Sequence, residues 1–417
     1  MKDTLFSPFS LPDIETAISR LIQAIERKEK IVIYGHDDVD GITSTVLMCE
    51  VLKGLKSEVS YYIPNRLTGV YGLEERAVKK FKAKGIKLIV TVDCGTTNHQ
   101  EIIFAKNVGI DVIITDHHEV SQGIPPALAF VNPKSSDSVY PFRELAGVGV
   151  AYKIAQTLVR KKLEISLSQW YEEYESLLEL VALGTIADRV PLSGENFYLT
   201  ELGLSVISET VRSGIKAIKE ISGIEENRRL EIDEVNTLFL PLLSVSRFEN
   251  SSLSGRNDAC ELLITNDLTK AREIASSLKQ RSEKWQEEAE SVCCRLGEIM
   301  EKTKLADREK ILVIVEERTG IRFLGYCAGK LKERYLRPVV VIGYKEDYAV
   351  GEARSIPEFD LIEAFKYCAD LFKRYGGHKQ AAGFSLEVKD IEKFKGRIRE
   401  YGENYLSNTE SANPTFI

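Results

Sequence analysis

The sequence predicts an α/β protein: a parallel-sheet domain joined by a long helix to a smaller α/β domain. Three observations predict it. Between residues 31 and 115, four short apolar runs alternate with three helical patterns, the signature of a parallel sheet with helices on both faces. Residues 268–303 carry one largely polar helical pattern, with no Pro or Gly before Gly297, as a connector between domains requires. Beyond it, apolar runs at 311–315 and 338–342 enclose another helical stretch.

Composition narrows the class. The chain has 417 residues, enough for two or three domains at ~150 residues each. No apolar run approaches the ~18 residues of a membrane span. Met1-Lys2-Asp3-Thr4 lacks the layout of a signal peptide. The seven cysteines are scattered without a metal-type Cys-x-x-Cys pair, which suits free thiols in a reducing, cytoplasmic setting. The net charge of −7 does not announce a nucleic-acid binder. A basic groove is still compatible with it, because a cluster of metal-binding acids contributes to the deficit.

The elements follow in order. Residues 10–28 form a helix on Leu11, Ile14, Ile18, Leu21 and Ile25. Strand Ile31-Val32-Ile33-Tyr34 runs into Gly35-His36-Asp37-Asp38-Val39-Asp40-Gly41, and a helix follows to about Leu55. Acids at a helix start can be caps. Three aspartates and a histidine within five residues exceed what capping needs, and crowded carboxylates repel unless a cation neutralises them. A strand at 59–64 leads to a loop holding Arg66, whose fork matches phosphate oxygens but which alone reads as a solvated charge. After a helix at 73–83, strand 87–92 ends in Asp93-Cys94-Gly95. After a helix at 100–106, strand 110–115 ends in Asp116-His117-His118. A lone Asp-His-His is as readily a polar turn. Three strands aiming Asp or His at the crevice beyond their carboxyl ends make a site.

Residues 119–146 lack periodicity and read as a long loop. Gly147-Val148-Gly149 opens a helix to about Lys161, its glycines implying tight packing. A single helix is expected over 167–187, with Asp188 an exposed acid at its end. In the second domain, helices are expected at 325–335 and 360–372. Tyr375-Gly376-Gly377-His378-Lys379 reads as a turn able to approach an anion, or as a hairpin with an incidental histidine. Residues 407–417 read as a frayed tail.

These motifs resemble the DHH phosphoesterase superfamily and, within it, the RecJ-type single-strand exonucleases. The likeness runs over about residues 28–405. It rests on Asp38-Val39-Asp40-Gly41, Ile63-Pro64-Asn65-Arg66, Val92-Asp93-Cys94-Gly95, Asp116-His117-His118, Leu145 to Lys153, Ala182 to Asp188, Gly351 to Ile356 and Gly376-Gly377-His378. The resemblance implies a DHH catalytic domain at 1–265, a connecting helix at 266–303, a DHH-associated substrate domain at 304–405 and a tail at 406–417. It implies two Mn²⁺ or Mg²⁺ ions held by Asp38, Asp40, Asp93, His117 and Asp188, with Asp93 bridging. His36 stands where the family usually has Asp and is carried as a further ligand. His118 is expected at the scissile phosphate, with Asp116 orienting the histidines. Arg66, Arg354, Ser355, Gly377 and His378 are expected to grip substrate phosphates. The implied activity is 5′–3′ exonuclease action on single-stranded DNA rather than RNA, in repair and recombination, with repair or single-strand-binding proteins as partners and no membrane.

Three departures mark this chain. It stops soon after the substrate domain, where bacterial relatives commonly carry an OB-fold region, so weaker hold on long DNA is expected. Leu242-Leu243-Ser244-Val245-Ser246-Arg247 replaces the usual Asn-Ala-Ala-Gly-Arg and keeps only Arg247. Gly320 to Gly325 replaces the usual His-Pro-Gly-Val-Ile-Gly. The rival readings are a DHH phosphodiesterase for short oligonucleotides, cyclic dinucleotides or nucleoside bisphosphates, and a metal-dead scaffold. Every motif acid is present, against the scaffold.

Overall fold

A computed structural model describes residues 5–64, 72–120, 123–248, 255–345 and 347–412. Arg66 lies outside the described residues. The chain divides into two compact units, Met1–Ser282 and Glu283–Ile417.

The first unit begins with α1 (Ile14–Glu26), β1 (Lys30–Gly35), α2 (Val39–Gly54), β2 (Val59–Tyr62), α3 (Glu75–Ala83), β3 (Ile86–Val92), α4 (His99–Asn107), β4 (Asp111–Thr115) and β5 (Ala129–Val131). Helices α5 (Gly147–Leu163), α6 (Leu167–Glu173), α7 (Leu177–Asp188), α8 (Gly194–Ser208) and α9 (Ser213–Ile221) follow. Short turns α10 (Ile232–Glu234) and α11 (Leu240–Ser244) and helix α12 (Asp258–Ile264) lead into α13 (Leu268–Thr303).

The sheet is parallel throughout, in the order β2-β1-β3-β4-β5. β1, β3 and β4 are buried over nearly their whole length, which is why they read as continuous apolar runs. Val32, Tyr34, Ile89, Val112 and Ile114 face one side, against Ala77, Val78 and Phe81 of α3 and Ile102 and Ala105 of α4. α2 and α5 pack on β3 from elsewhere in the unit, and α7 covers α2. Held among them, α2 is buried on almost every side from Val39 to Leu52, so its apolar residues follow no single stripe. The strand order reverses direction between β1 and β3, and the crevice at such a switch point is where α/β sheets bind ligands.

Two expectations for this unit are corrected. The stretch 119–146 is not all loop: Ala129-Phe130-Val131 forms a fifth strand beside β4. Three residues are too few to show a period. The helix expected over 167–187 is two, α6 and α7, separated at 174–176. Trp170 is fully buried, donates to the Tyr152 hydroxyl (2.9 Å) and stacks on Tyr174. That anchor sets the direction of α6 independently of α7, and no Pro or Gly announces the break.

The second unit adds α14 (Leu305–Arg308), β6 (Leu312–Val315), α15 (Leu324–Tyr335), β7 (Val339–Lys345), β8 (Tyr348–Arg354), α16 (Leu361–Tyr367), β9 (Phe372–His378), β10 (Ala381–Glu387) and α17 (Ile391–Ala412). Its sheet runs β6-β7-β8-β10-β9, parallel only between β6 and β7. One face packs Val340, Ile342, Phe384 and Leu386 against Phe365 of α16 and Phe394 and Ile398 of α17. The other packs Leu312, Ile314, Val339 and Val341 against α15 and against Ala289, Val292, Leu296 and Met300 of α13. The helix expected over 360–372 stops at Tyr367, and the frayed tail expected from 407 is helical to Ala412. Gly376 and Gly377 lie on β9, not in a turn. The turn is Lys379-Gln380.

Candidate metal centre

Three adjacent strands, β1, β3 and β4, end at the switch-point crevice, and each hands a polar loop to it. β1 delivers His36, Asp37 and Asp38. Asp38 caps α2 by accepting from the Gly41 N–H (3.0 Å), and its Oδ2 lies 2.8 Å from His36 Nδ1. Asp40 sits in the first turn of α2, 1% exposed, and accepts from the N–H groups of Gly147 (2.7 Å) and Val148 (2.8 Å). These are orphan donors at the start of α5, so a contact spanning 107 residues of sequence fixes the Asp40 carboxylate.

β3 delivers Asp93, 2% exposed and left-handed at φ 58°. A non-glycine residue adopts that conformation only where its surroundings hold it. Here it turns the carboxylate so that Oδ2 lies 3.7 Å from His36 Nδ1 and Oδ1 lies 3.1 Å from His117 Nε2. β4 delivers His117, whose Nε2 also lies 3.6 Å from Asp188 Oδ2 and 3.9 Å from Asp40 Oδ2. Asp188, at the end of α7, is partly buried with its side chain 16% exposed, not the exposed acid its local sequence suggests.

Two donor triads result, His36/Asp38/Asp93 and Asp40/His117/Asp188, each with its ligand atoms within 4.8 Å of one another. Asp93 reaches members of both. Among the described residues, Asp93 Oδ1, Asp188 Oδ2 and Asp37 Oδ2 are buried without a hydrogen-bond partner. Such orphaned carboxylate oxygens are costly unless a cation takes them up. Burial raises the Asp93 and Asp40 carboxyls well above the usual carboxylate range, and the neighbouring aspartates raise them further. Burial would raise Asp38 as well, but His36 beside it holds it well below that range. Burial keeps His117 below the ordinary imidazole value, against the pull of Asp188, and neutral imidazole is the ligating form. Carboxylate oxygens with imidazole nitrogens suit hard to borderline divalent cations such as Mn²⁺ or Mg²⁺.

Asp116 is arranged differently. Its Oδ2 accepts from the Thr96 N–H (3.0 Å) and hydroxyl (2.6 Å), and its Oδ1 from the N–H groups of His117 (2.7 Å) and His118 (3.2 Å). His118 Nδ1 lies 2.7 Å from the same Oδ1. Burial opposes charge on both groups, yet their pairing wins: Asp116 falls well below the carboxylate range and His118 rises to about 9. Asp116 thus bonds both histidine backbones and the His118 ring, and it also lies with Asp93, His117 and His118 in a group whose ligand atoms are within 4.8 Å of one another.

Three residues quoted in the sequence motifs had been given no role at the centre. A Cβ on Gly147 would meet Asp93 Cβ at 2.7 Å and Asp93 Oδ1 at 2.8 Å; one on Gly184 would meet Thr43 Oγ1 at 2.3 Å and Asp40 Oδ1 at 2.9 Å. Both glycines let helices close on the acids. Arg247 lies 3.6 Å from Asp37. The available signal was a glycine at the start of α5.

In the second unit, Arg354, Ala381 and His378 are cross-strand neighbours on β8, β10 and β9. Arg354 donates to the Ala353 carbonyl (2.8 Å) and lies 3.3 Å from Glu352. Ser355 is buried and its hydroxyl donates to the Phe359 carbonyl (2.9 Å). Gly377 has φ 136°, and a Cβ there would lie 2.4 Å from the Ala381 carbonyl oxygen, so only glycine lets β9 and β10 close.

The DHH family N-terminal domain matches residues 30–185 and the DHHA1 domain matches residues 309–404. The chain is 36% identical to the single-stranded-DNA-specific exonuclease RecJ of Bacillus subtilis, over 97% of this chain and 50% of that protein. It is 34% identical to the exonuclease of the same name from Salmonella typhimurium, over 95% of this chain and 70% of that one. The chain thus spans half to 70% of the length of these relatives. The crystal structure of RecJ in complex with Mn²⁺ from Thermus thermophilus superposes with a TM-score of 0.78 at 27% identity, over 95% of this chain and 55% of that one.

Proposed function

The chain belongs to the RecJ family of DHH proteins, and on that footing we propose that it is a two-metal-dependent phosphodiester hydrolase that degrades single-stranded DNA from the 5′ end. The observation that carries the reading is the placement of Asp93 between two donor triads in the crevice of the sheet.

In this reading His36, Asp38 and Asp93 hold one divalent cation and Asp40, Asp93, His117 and Asp188 hold the other, Mn²⁺ or Mg²⁺. When bound, such a pair supplies Lewis-acid polarisation of the phosphoryl group and activation of the attacking water. The chain's own residues do the rest. The α5 N–H groups keep Asp40 aimed, and Asp116 keeps His118 turned so that its outer nitrogen contacts the scissile phosphate. Held as a cation by Asp116, His118 stabilises the charge that builds on phosphoryl oxygens. In the second unit Arg354 supplies the positive charge for a substrate phosphate. Gly377 and His378 line the strand beside it, with Ser355 shaping the turn behind. Arg66 is assigned the same phosphate-gripping role from its motif.

Repair and recombination supply the setting, with repair or single-strand-binding proteins as partners. A cytoplasmic location fits the seven free cysteines. No helix among the described residues is long and apolar enough to cross a membrane.

The test is incubation of the purified protein with Mn²⁺ and a ~30-mer single-stranded DNA labelled at either end, beside a two-nucleotide RNA. Release of labelled mononucleotide from the 5′-labelled strand, without a ladder, supports the reading. Cleavage of the dinucleotide alone replaces it with a small-substrate phosphodiesterase. Inertness towards both replaces it with a scaffold.

A further inference from the structure

The geometry points to Asn132 and Thr96 as positioning residues that hold the Asp116–His118 pair from behind. The inference rests on the phosphodiesterase reading above.

Asn132 follows β5 and is fully buried. Its amide uses every group it has. Nδ2 donates to the His118 carbonyl (2.9 Å) and to Thr96 Oγ1 (3.3 Å), while Oδ1 accepts from the Lys134 N–H (2.8 Å). One side chain therefore ties together the ends of β3, β4 and β5. Thr96 Oγ1 accepts from Asn132 and so has its own proton to give to Asp116 Oδ2, at 2.6 Å. The direction of that bond is fixed: Asn132 to Thr96 to Asp116. Asp116 Oδ1 is then left for the N–H groups of His117 and His118 and for the His118 ring.

Two things follow for His118. Its backbone is held at the carbonyl by Asn132 and at the N–H by Asp116. Its ring is held at Nδ1 by a carboxylate that is itself locked on the opposite oxygen. The other ring nitrogen is thereby aimed outward, from a side chain 37% exposed. Buried partners of this kind, once removed, typically cost 10- to 100-fold in activity or metal affinity. Here the larger loss falls on turnover, because the relay ends on the His118 ring, while it reaches the triad member His117 only at the backbone N–H.

The test compares Thr96→Val, Thr96→Ser, Asn132→Ala and the Thr96→Val/Asn132→Ala double variant. For Thr96→Val, kcat on single-stranded DNA is expected to fall about tenfold or more. KM is expected to stay close to wild type, the half-saturating Mn²⁺ concentration to rise by much less than kcat falls, and the thermal midpoint to drop by several degrees, because Asp116 loses a donor and an Asn132 amide hydrogen loses its acceptor. Thr96→Ser restores kcat, and the double variant is slower than either single variant but by less than the product of their losses, since the two residues share the Asn132–Thr96 bond while Asn132 alone holds the His118 carbonyl. A second readout needs no turnover. With only five histidines in the chain, ¹⁵N-histidine labelling and a His118→Gln reference identify the His118 ring N–H signal in metal-free protein. That proton is protected from exchange in wild type and in Thr96→Ser, and lost in Thr96→Val. Wild-type kcat retained by Thr96→Val overturns the inference, as does a loss of kcat matched by an equal rise in the Mn²⁺ requirement. If wild type itself is inactive while the ring signal behaves as stated, the nuclease reading has failed and the positioning relay stands.

Discussion

Replacing Asp93 by Asn separates two opposite demands on one side chain. Without a cation, Asp93 is a buried carboxylate facing other acids, with one oxygen lacking a hydrogen-bond partner. Asn has the same shape, is among the residues that tolerate the left-handed backbone found here, and adds a donor towards the neutral His117. Relieving one unsatisfied buried group is worth about 1–3 kcal/mol. The sign is set by the raised carboxyl. A carboxyl lifted by folding opposes the folded state once pH exceeds its unfolded value, near ~4. Metal-free Asp93→Asn is therefore more stable than wild type at pH 7.5, and the advantage fades below pH ~4. With cation the order inverts. Mn²⁺ at about 100 times its Kd stabilises wild type by about 2.7 kcal/mol. At about 2–4 °C per kcal/mol for a unit of this size, that is about 5–11 °C. A variant whose Kd has risen about 100-fold gains only about 0.4 kcal/mol, about 1–2 °C. Scanning calorimetry of EDTA-treated protein, with and without Mn²⁺, reads all four values. A metal-free variant less stable than wild type, or one that keeps the full Mn²⁺ shift, refutes the reasoning.

Three further outcomes follow from the same structure. Gly147→Ala forces a methyl against Asp93 Cβ at 2.7 Å and Oδ1 at 2.8 Å; overpacking of about 1–3 kcal/mol is expected, read as a lower thermal midpoint together with weaker Mn²⁺ binding in calorimetric titration. Lys153→Met strands Glu195, 0% exposed, which now takes Lys153 Nζ at 2.6 Å. Breaking such a pair costs about 3–5 kcal/mol, at the lower end because Tyr140 and the Phe6 N–H still donate to Glu195; urea unfolding measures it. Arg354→Lys keeps the charge and loses the fork, so KM for single-stranded DNA rises several-fold while the Mn²⁺ requirement stays unchanged in steady-state assays.

The strands that build the crevice were legible because buried parallel strands must be apolar throughout, so a sudden His36-Asp37-Asp38, Asp93 or Asp116-His117-His118 marks their ends. The connecting helix was legible because nothing interrupts it before Gly297. What was hidden depends on contacts distant in sequence. Asp188 looks like any acid at a helix end until α7 is laid beside His117. Gly147 looks like a packing glycine until α5 is set against Asp40 and Asp93. β5 is too short for a period, so Asn132 behind it had no visible role. The glycines before His378 read as a turn because a strand rich in glycine carries no apolar alternation. Arg66, whose role rested on its motif, falls outside the described residues.

The most direct test of the two-cation centre is an anomalous difference map from crystals of this protein grown with Mn²⁺. Two peaks about 3.5–4 Å apart are expected. One should lie against His36, Asp38 and Asp93, the other against Asp40, His117 and Asp188, with Asp93 touching both. A single peak, or two peaks that leave Asp93 without a metal contact, would contradict it.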